Sequence, residues 1–134
     1  MIKEPYEVLD AYALEIEKDT QIDVTNIMEK QFSSPNVKHK WLFRLMQARR
    51  DYITLENARD SYVHNILNND NPLQLPKSVV EKKIHSQAEY RILVNKIKEQ
   101  DILIAYLDAA VNKIFTQIGF DFKNLVELMK MEQL

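Results

Sequence analysis

The residues best placed to do chemistry lie in one stretch, KHKWLFRLMQARRDYITLENAR, from Lys38 to Arg59. Lys40 and Arg44 stand one helical turn apart on a common face. Arg49 and Arg50 flank an apolar series, and Tyr52 and Tyr62 lie on or near it. Cations that follow a phosphate backbone, interleaved with rings on which bases stack, suit sequence-tolerant binding of single-stranded nucleic acid. The same pattern also suits an ordinary long helix whose lysine and arginine stems cover apolar surface beside a solvated flank.

Other chemistry finds little footing. The chain has no cysteine, which excludes disulfides, thiol catalysis and thiolate metal sites. His39, His64 and His85 are far apart, none with a second histidine at i+4, so no zinc ligand set is legible. Carboxylate pairs such as Glu15 and Asp19 have the spacing of solvated surface charge. A single glycine, Gly119, rules out a glycine-rich phosphate loop, a dinucleotide fingerprint and a nucleophile elbow. The expectation is a protein that is not an enzyme, with no cofactor and no metal.

These residues need elements to hold them. At 134 residues, 46% hydrophobic and 28% charged, the chain reads as one folded domain. Pro5 opens a helix over 5–18 with Val8, Leu9, Tyr12 and Ile16 as its apolar face. Asp23 or Thr25 caps a shorter helix, which SSPN at 33–36 ends. A long helix then runs from about Val37 to Leu67. Its seam is Trp41, Leu45, Ala48, Tyr52, Leu55, Tyr62 and Ile66, and Arg59 occupies the missing beat. NNDNPLQLP is a loop over 68–76. Ser78 with Glu81 forms a capping box for a second long helix over 78–118, with Leu93, Ile97, Gln100, Ile104, Leu107, Val111, Ile114 and Ile118 as its seam. Gly119 stops it. Asp121 caps a last helix over 121–134 with Phe122, Leu125, Val126 and Met129 inward.

The expected fold is all-α: an elongated antiparallel hairpin of two long heptad-patterned helices with short helices at both termini. In outline, 1–35 is acidic and helical, 36–67 the basic long helix, 68–77 a loop, 78–118 the second long helix and 121–134 the last. A helix of about 40 residues would be roughly 60 Å long, more than two short helices can cover. Helices from neighbouring copies are expected to complete the core.

Net charge is −2, unevenly spread. Residues 1–30 carry three lysines against eight acids, whereas 36–59 and 77–98 each carry six basic residues against two acids. Such segregation serves an anionic ligand, or pairs the acidic part of one copy with the basic part of another. No apolar run is long enough to span a membrane, and MIKEPYEVLD lacks a signal peptide's apolar core, so a cytoplasmic location is expected. Arg59 poses the sharpest question. An unpaired buried charge costs several kcal/mol, so the guanidinium either pairs with Asp101 or Asp108 as a registry device or faces a phosphate.

Several short elements, in order, resemble the UvsY family of phage recombination mediators. Ile22-Asp23-Val24-Thr25 resembles the family's IDxT, Lys40-Trp41-Leu42 its KWL, and Gly119-Phe120 followed by Lys123 and Leu125 its GFxxK segment. The acidic and aliphatic run from Ala105 to Val111 also corresponds. The family's DNA-contacting motif, LKARLDY, is most similar to Glu56-Asn57-Ala58-Arg59-Asp60-Ser61-Tyr62, reached through a gap and with Asn57 in place of lysine. Without the gap it falls on Val63–Asn69, which has no strong cation.

The resemblance implies a ring-shaped homo-oligomer, hexamer or heptamer, that binds single-stranded DNA in the host-cell cytoplasm. It would contact both a single-strand-binding protein and a RecA-like recombinase, and help the second replace the first. Arg59 would then neutralise phosphate, helped by Arg49, Arg50, Lys40 and Arg44, with Tyr62 beside them. The competing expectation is a structural or adaptor coiled-coil oligomer that binds only protein.

Overall fold

A computed structural model describes residues 4–21, 27–69 and 74–132 of the chain. The described residues form α1 (Pro5–Asp19), α2 (Ile27–Asn69), α3 (Lys77–His85), α4 (Ala88–Ala109), a π-helical turn (Ala110–Ile114) and α5 (Phe115–Glu132). No described residue is in a strand. The architecture is all-α, and its frame is two long helical runs. One is α2, at 43 residues about 65 Å long. The other is α4 continued through the π turn into α5.

The two runs are antiparallel. Gln100 of α4 meets Ala48 of α2, whereas Gln87, earlier on the second run, meets Tyr62, later on the first. The 4-3 rhythm puts Trp41, Leu45, Ala48 and Leu55 on one side of α2, all buried, and Ile97, Leu103 and Leu107 opposite them on α4, also buried. One cluster unites Ile16 of α1 with Trp41, Leu45, Ala48, Leu103, Leu107, Ala110, Val111 and Phe115. Val8, Leu9 and Tyr12 of α1, and Leu125, Val126 and Met129 of α5, pack against it.

Four expected boundaries differ. Pro35 does not end a helix: α2 passes through it, forgoing the hydrogen bond that proline cannot donate. Ser78 is no cap, because Pro76 occupies that place and Lys77 begins the helix without any side-chain cap. The second long helix breaks at Ser86–Gln87, where Ser86 turns its hydroxyl onto the Lys83 carbonyl at 2.7 Å. That break lets α3 fold back and bury Val80 and Ile84. Finally, Gly119 does not stop the helix and Asp121 does not cap one. Gly119 keeps a negative φ inside α5, and the Asp121 carboxylate accepts from Gln117 at 3.2 Å. The caps assigned to Asp23 or Thr25 lie outside the described residues, as does most of the 68–76 loop.

The π turn explains how one run serves the core past residue 110. An extra residue per turn rotates the apolar face, so that Ala110, Val111 and Phe115 are all buried. The Phe115 amide donates to the Ala110 carbonyl, the five-residue bond that defines such a turn.

Gln100 is the buried polar side chain among the described residues, 2% exposed, and its amide donates to the Ala48 carbonyl at 2.8 Å. One hydrogen bond is worth about 1 kcal/mol net. Gln100→Leu should therefore change unfolding free energy by no more than about 1 kcal/mol, since apolar burial offsets the lost bond. Gln100→Glu should cost about 3 kcal/mol or more, because a buried carboxylate would face a carbonyl oxygen. Urea denaturation of the two variants checks the contrast.

Candidate nucleic-acid interface

The basic stretch divides into two sides of α2. Lys40 and Arg44 face α1. The Lys40 ammonium donates to Glu15 Oε1 at 3.0 Å and to Asp19 Oδ2 at 2.8 Å, and the Arg44 guanidinium donates to Glu15 Oε2 at 2.5 Å. Asp19 also accepts the indole N–H of Trp41 at 2.8 Å. The Arg44 guanidinium lies 4.8 Å from the Tyr12 ring centre and 4.7 Å from that of Trp41, and those two rings meet edge to face at 5.3 Å. Acidic α1 and basic α2 are thus latched together within one chain, an outcome that neither alternative drawn from the charge segregation included.

Two of the expected DNA-contacting cations, Lys40 and Arg44, are consequently already matched by carboxylates. The reason is long-range: Glu15 and Asp19, one turn apart on α1, present their carboxylates to two cations one turn apart on α2. Glu15 titrates below the usual glutamate range, held there chiefly by the Arg44 hydrogen bond against the opposing effect of burial, with Lys40 adding to it. Burial pulls the Lys40 ammonium down, but its bonds to Asp19 and Glu15 together outweigh that and raise its pKa.

The sign of the pH dependence follows. A lowered Glu15 pKa means stability fully present above the ordinary value of 4.5 and lost as pH falls from there through the lower folded value. A raised Lys40 pKa means stability fully present below the ordinary 10.5 and lost as pH rises through the higher folded value. From neutral pH, the latch therefore loosens first on acidification. The emission of Trp41, the sole tryptophan, should shift to the red as pH drops below 4.5, and Glu15→Gln should flatten that acid limb.

The remaining expected residues are spread out. The Arg49 guanidinium lies 3.6 Å from Asp108 with both side chains about half exposed. Arg50 is exposed and has no ion pair to a described residue. Arg59 pairs with neither Asp101 nor Asp108: it stands 3.8 Å from Glu56 and 3.3 Å from Asp60, both on its own helix, with its side chain 30% exposed. The pairing across helices expected of a registry device is therefore not formed. Tyr62 is half-buried, with its hydroxyl donating to Gln87 Oε1.

The other side of α2 carries Arg50 together with apolar residues that the packing rhythm does not single out. Lys38, His39, Phe43, Met46, Arg49, Arg50 and Ile53 are all exposed there. Their signal is a second 4-3 series, His39, Phe43, Met46, Arg50 and Ile53, opposite the buried seam. From Pro35 to Arg50 the chain contains no acidic residue, so this outward face is cationic.

Among the described residues, no group of three or more histidine, aspartate or glutamate side chains is arranged to hold a metal ion. No described helix is long and apolar enough to cross a membrane. Comparison with models of protein families, with curated proteins and with solved structures found no match.

Proposed function

We propose that the chain is a non-enzymatic, self-assembling binder of single-stranded DNA that acts as a recombination mediator, helping a RecA-like recombinase replace single-strand-binding protein. The observation that carries DNA binding is the outward face of α2, where Lys38, His39 and Arg50 are exposed with no ion pair to a described residue, and no acidic residue occurs in the chain from Pro35 to Arg50. Such a face attracts a polyanion even on a chain of net charge −2. Self-assembly multiplies it, each copy adding the same cations to one surface. The roles toward recombinase and single-strand-binding protein rest on the sequence resemblance alone.

In this reading Arg50 leads and Arg49 assists. Arg59 contributes where phosphate displaces Glu56 and Asp60. Lys40 and Arg44 hold α1 in place instead of touching DNA. A gel-shift titration with single- and double-stranded DNA at low and high salt tests the reading. Tight, salt-sensitive retention of the single strand is expected, and no retention at low salt would overturn it.

The salt series also sorts the arginines. Each phosphate contact on a single strand contributes about 0.7 to the log–log slope. Arg50→Ala should reduce that slope by about this amount, whereas Arg44→Ala should leave it unchanged in protein that remains folded.

One observation favours the second reading, an adaptor that binds only protein. Met46 and Ile53, 39% and 56% exposed, are apolar groups that a partner helix would cover. Retention of protein partners without any retention of DNA would be its mark.

A further inference from the structure

The rings of the described structure are mostly engaged. Trp41 is fully buried, Tyr12 rests against it, and the Tyr62 hydroxyl is bonded to Gln87. Two large exposed rings stand in contrasting surroundings. Tyr6, 47% exposed, sits on α1 near Glu7 and Asp10. Phe43, 60% exposed, sits on α2 between His39 and Arg50. It follows His39 by one helical turn and precedes Arg50 by two, so the three project from one face with Phe43 about 6 Å and about 10 Å along the axis from them.

We propose that Phe43 is a base-stacking platform for single-stranded nucleic acid, with Arg50 and His39 holding the backbone on either side of it. The inference rests on the single-strand reading above and places its contact surface. An exposed aromatic face accepts any base, which gives affinity without sequence preference, while the Arg50 guanidinium and the His39 imidazole set the path of the strand. A stacked base would also remove from water a ring that otherwise stays in contact with it.

The rival occupant of this face is a helix from a second copy. Two features count against it. In a parallel pairing, the same face of another copy would bring Lys38 and Arg50 against their own counterparts, which repel. Moreover, Arg50 falls between Met46 and Ile53 in the 4-3 series, so a packed seam would bury a guanidinium that makes no ion pair to a described residue. Against a strand, the same guanidinium meets phosphate.

The test compares the full chain with its Phe43→Ala, Phe43→Trp and Arg50→Ala variants by fluorescence anisotropy. The probes are a labelled oligothymidylate and an abasic strand of equal length. Phe43→Ala should weaken oligothymidylate binding by about 10–100-fold, the loss of one stacked base, with the salt slope unchanged. On the abasic strand it should match the unaltered protein, and Phe43→Trp should retain affinity on both. Arg50→Ala should weaken both and lower the slope.

Equal binding by Phe43→Ala and the unaltered protein on oligothymidylate would overturn the placement, as would an equal loss on both strands. A fall in sedimenting mass caused by Phe43→Ala would overturn it too, and would assign the face to contact between copies. Failure of the unaltered protein to bind either strand would instead sink the single-strand reading itself.

Discussion

Trp41→Ala should lower the unfolding free energy by about 3–5 kcal/mol, the usual cost of truncating a large buried aromatic. The indole is fully buried, and it joins three kinds of contact. Its ring completes the cluster shared by α1, α2 and α4. Its face lies under the Arg44 guanidinium, and it meets the Tyr12 ring edge to face. Its N–H satisfies one oxygen of Asp19. Alanine empties the first and abandons the other two. Trp41→Phe separates them, since it keeps most of the apolar volume and loses only the N–H donor, for about 1–2 kcal/mol. Urea titrations of both variants give the comparison. A loss below about 1 kcal/mol for Trp41→Ala would mean that α1 is not seated on α2 as described.

Reversing both latch cations, Lys40→Glu with Arg44→Glu, is the second large effect. Glu15 and Asp19 would then face two carboxylates instead of two cations. Breaking a fully buried pair costs about 3–5 kcal/mol, while a solvated pair is worth under 1 kcal/mol. The four side chains are 18–37% exposed, so an intermediate loss of about 2–3 kcal/mol is expected, shrinking as salt is raised. Adding Glu15→Lys and Asp19→Lys to the reversed chain should recover most of the loss. That recovery is the decisive part, because only direct pairing between α1 and α2 produces it. Thermal melts of the unaltered, reversed and doubly reversed chains would show it.

Much of the frame could be seen in the sequence, for a physical reason. Burial of one side of a helix forces apolar residues into a 4-3 rhythm, and Trp41, Leu45, Ala48 and Leu55 kept that rhythm and are buried. Element ends were less visible, because local signals there are weak beside packing. A glycine inside a helix costs about 1 kcal/mol, less than α5 gains by seating Leu125, Val126 and Met129 on the core, so Gly119 does not end it. Ser78 differs for a local reason, since Pro76 occupies the position before the helix. The π turn left no trace that spacing alone could reveal.

The candidate site was legible in composition and not in direction. Lys40, Arg44, Arg49 and Arg50 were recognised as a basic group, yet which of them meet carboxylates depends on α1, more than 20 residues earlier in the chain. Arg59 was noticed because it interrupts the seam, but its neighbours Glu56 and Asp60 lie on its own helix. Phe43 drew no notice because it is off that seam, and an apolar residue outside the buried series gives no packing signal of its own.

Sedimentation velocity of the protein mixed with a labelled single strand addresses assembly and DNA binding together. The label should move with a species well above the 15.9 kDa of one chain. Labelled strand sedimenting alone beside a 15.9 kDa monomer would contradict it.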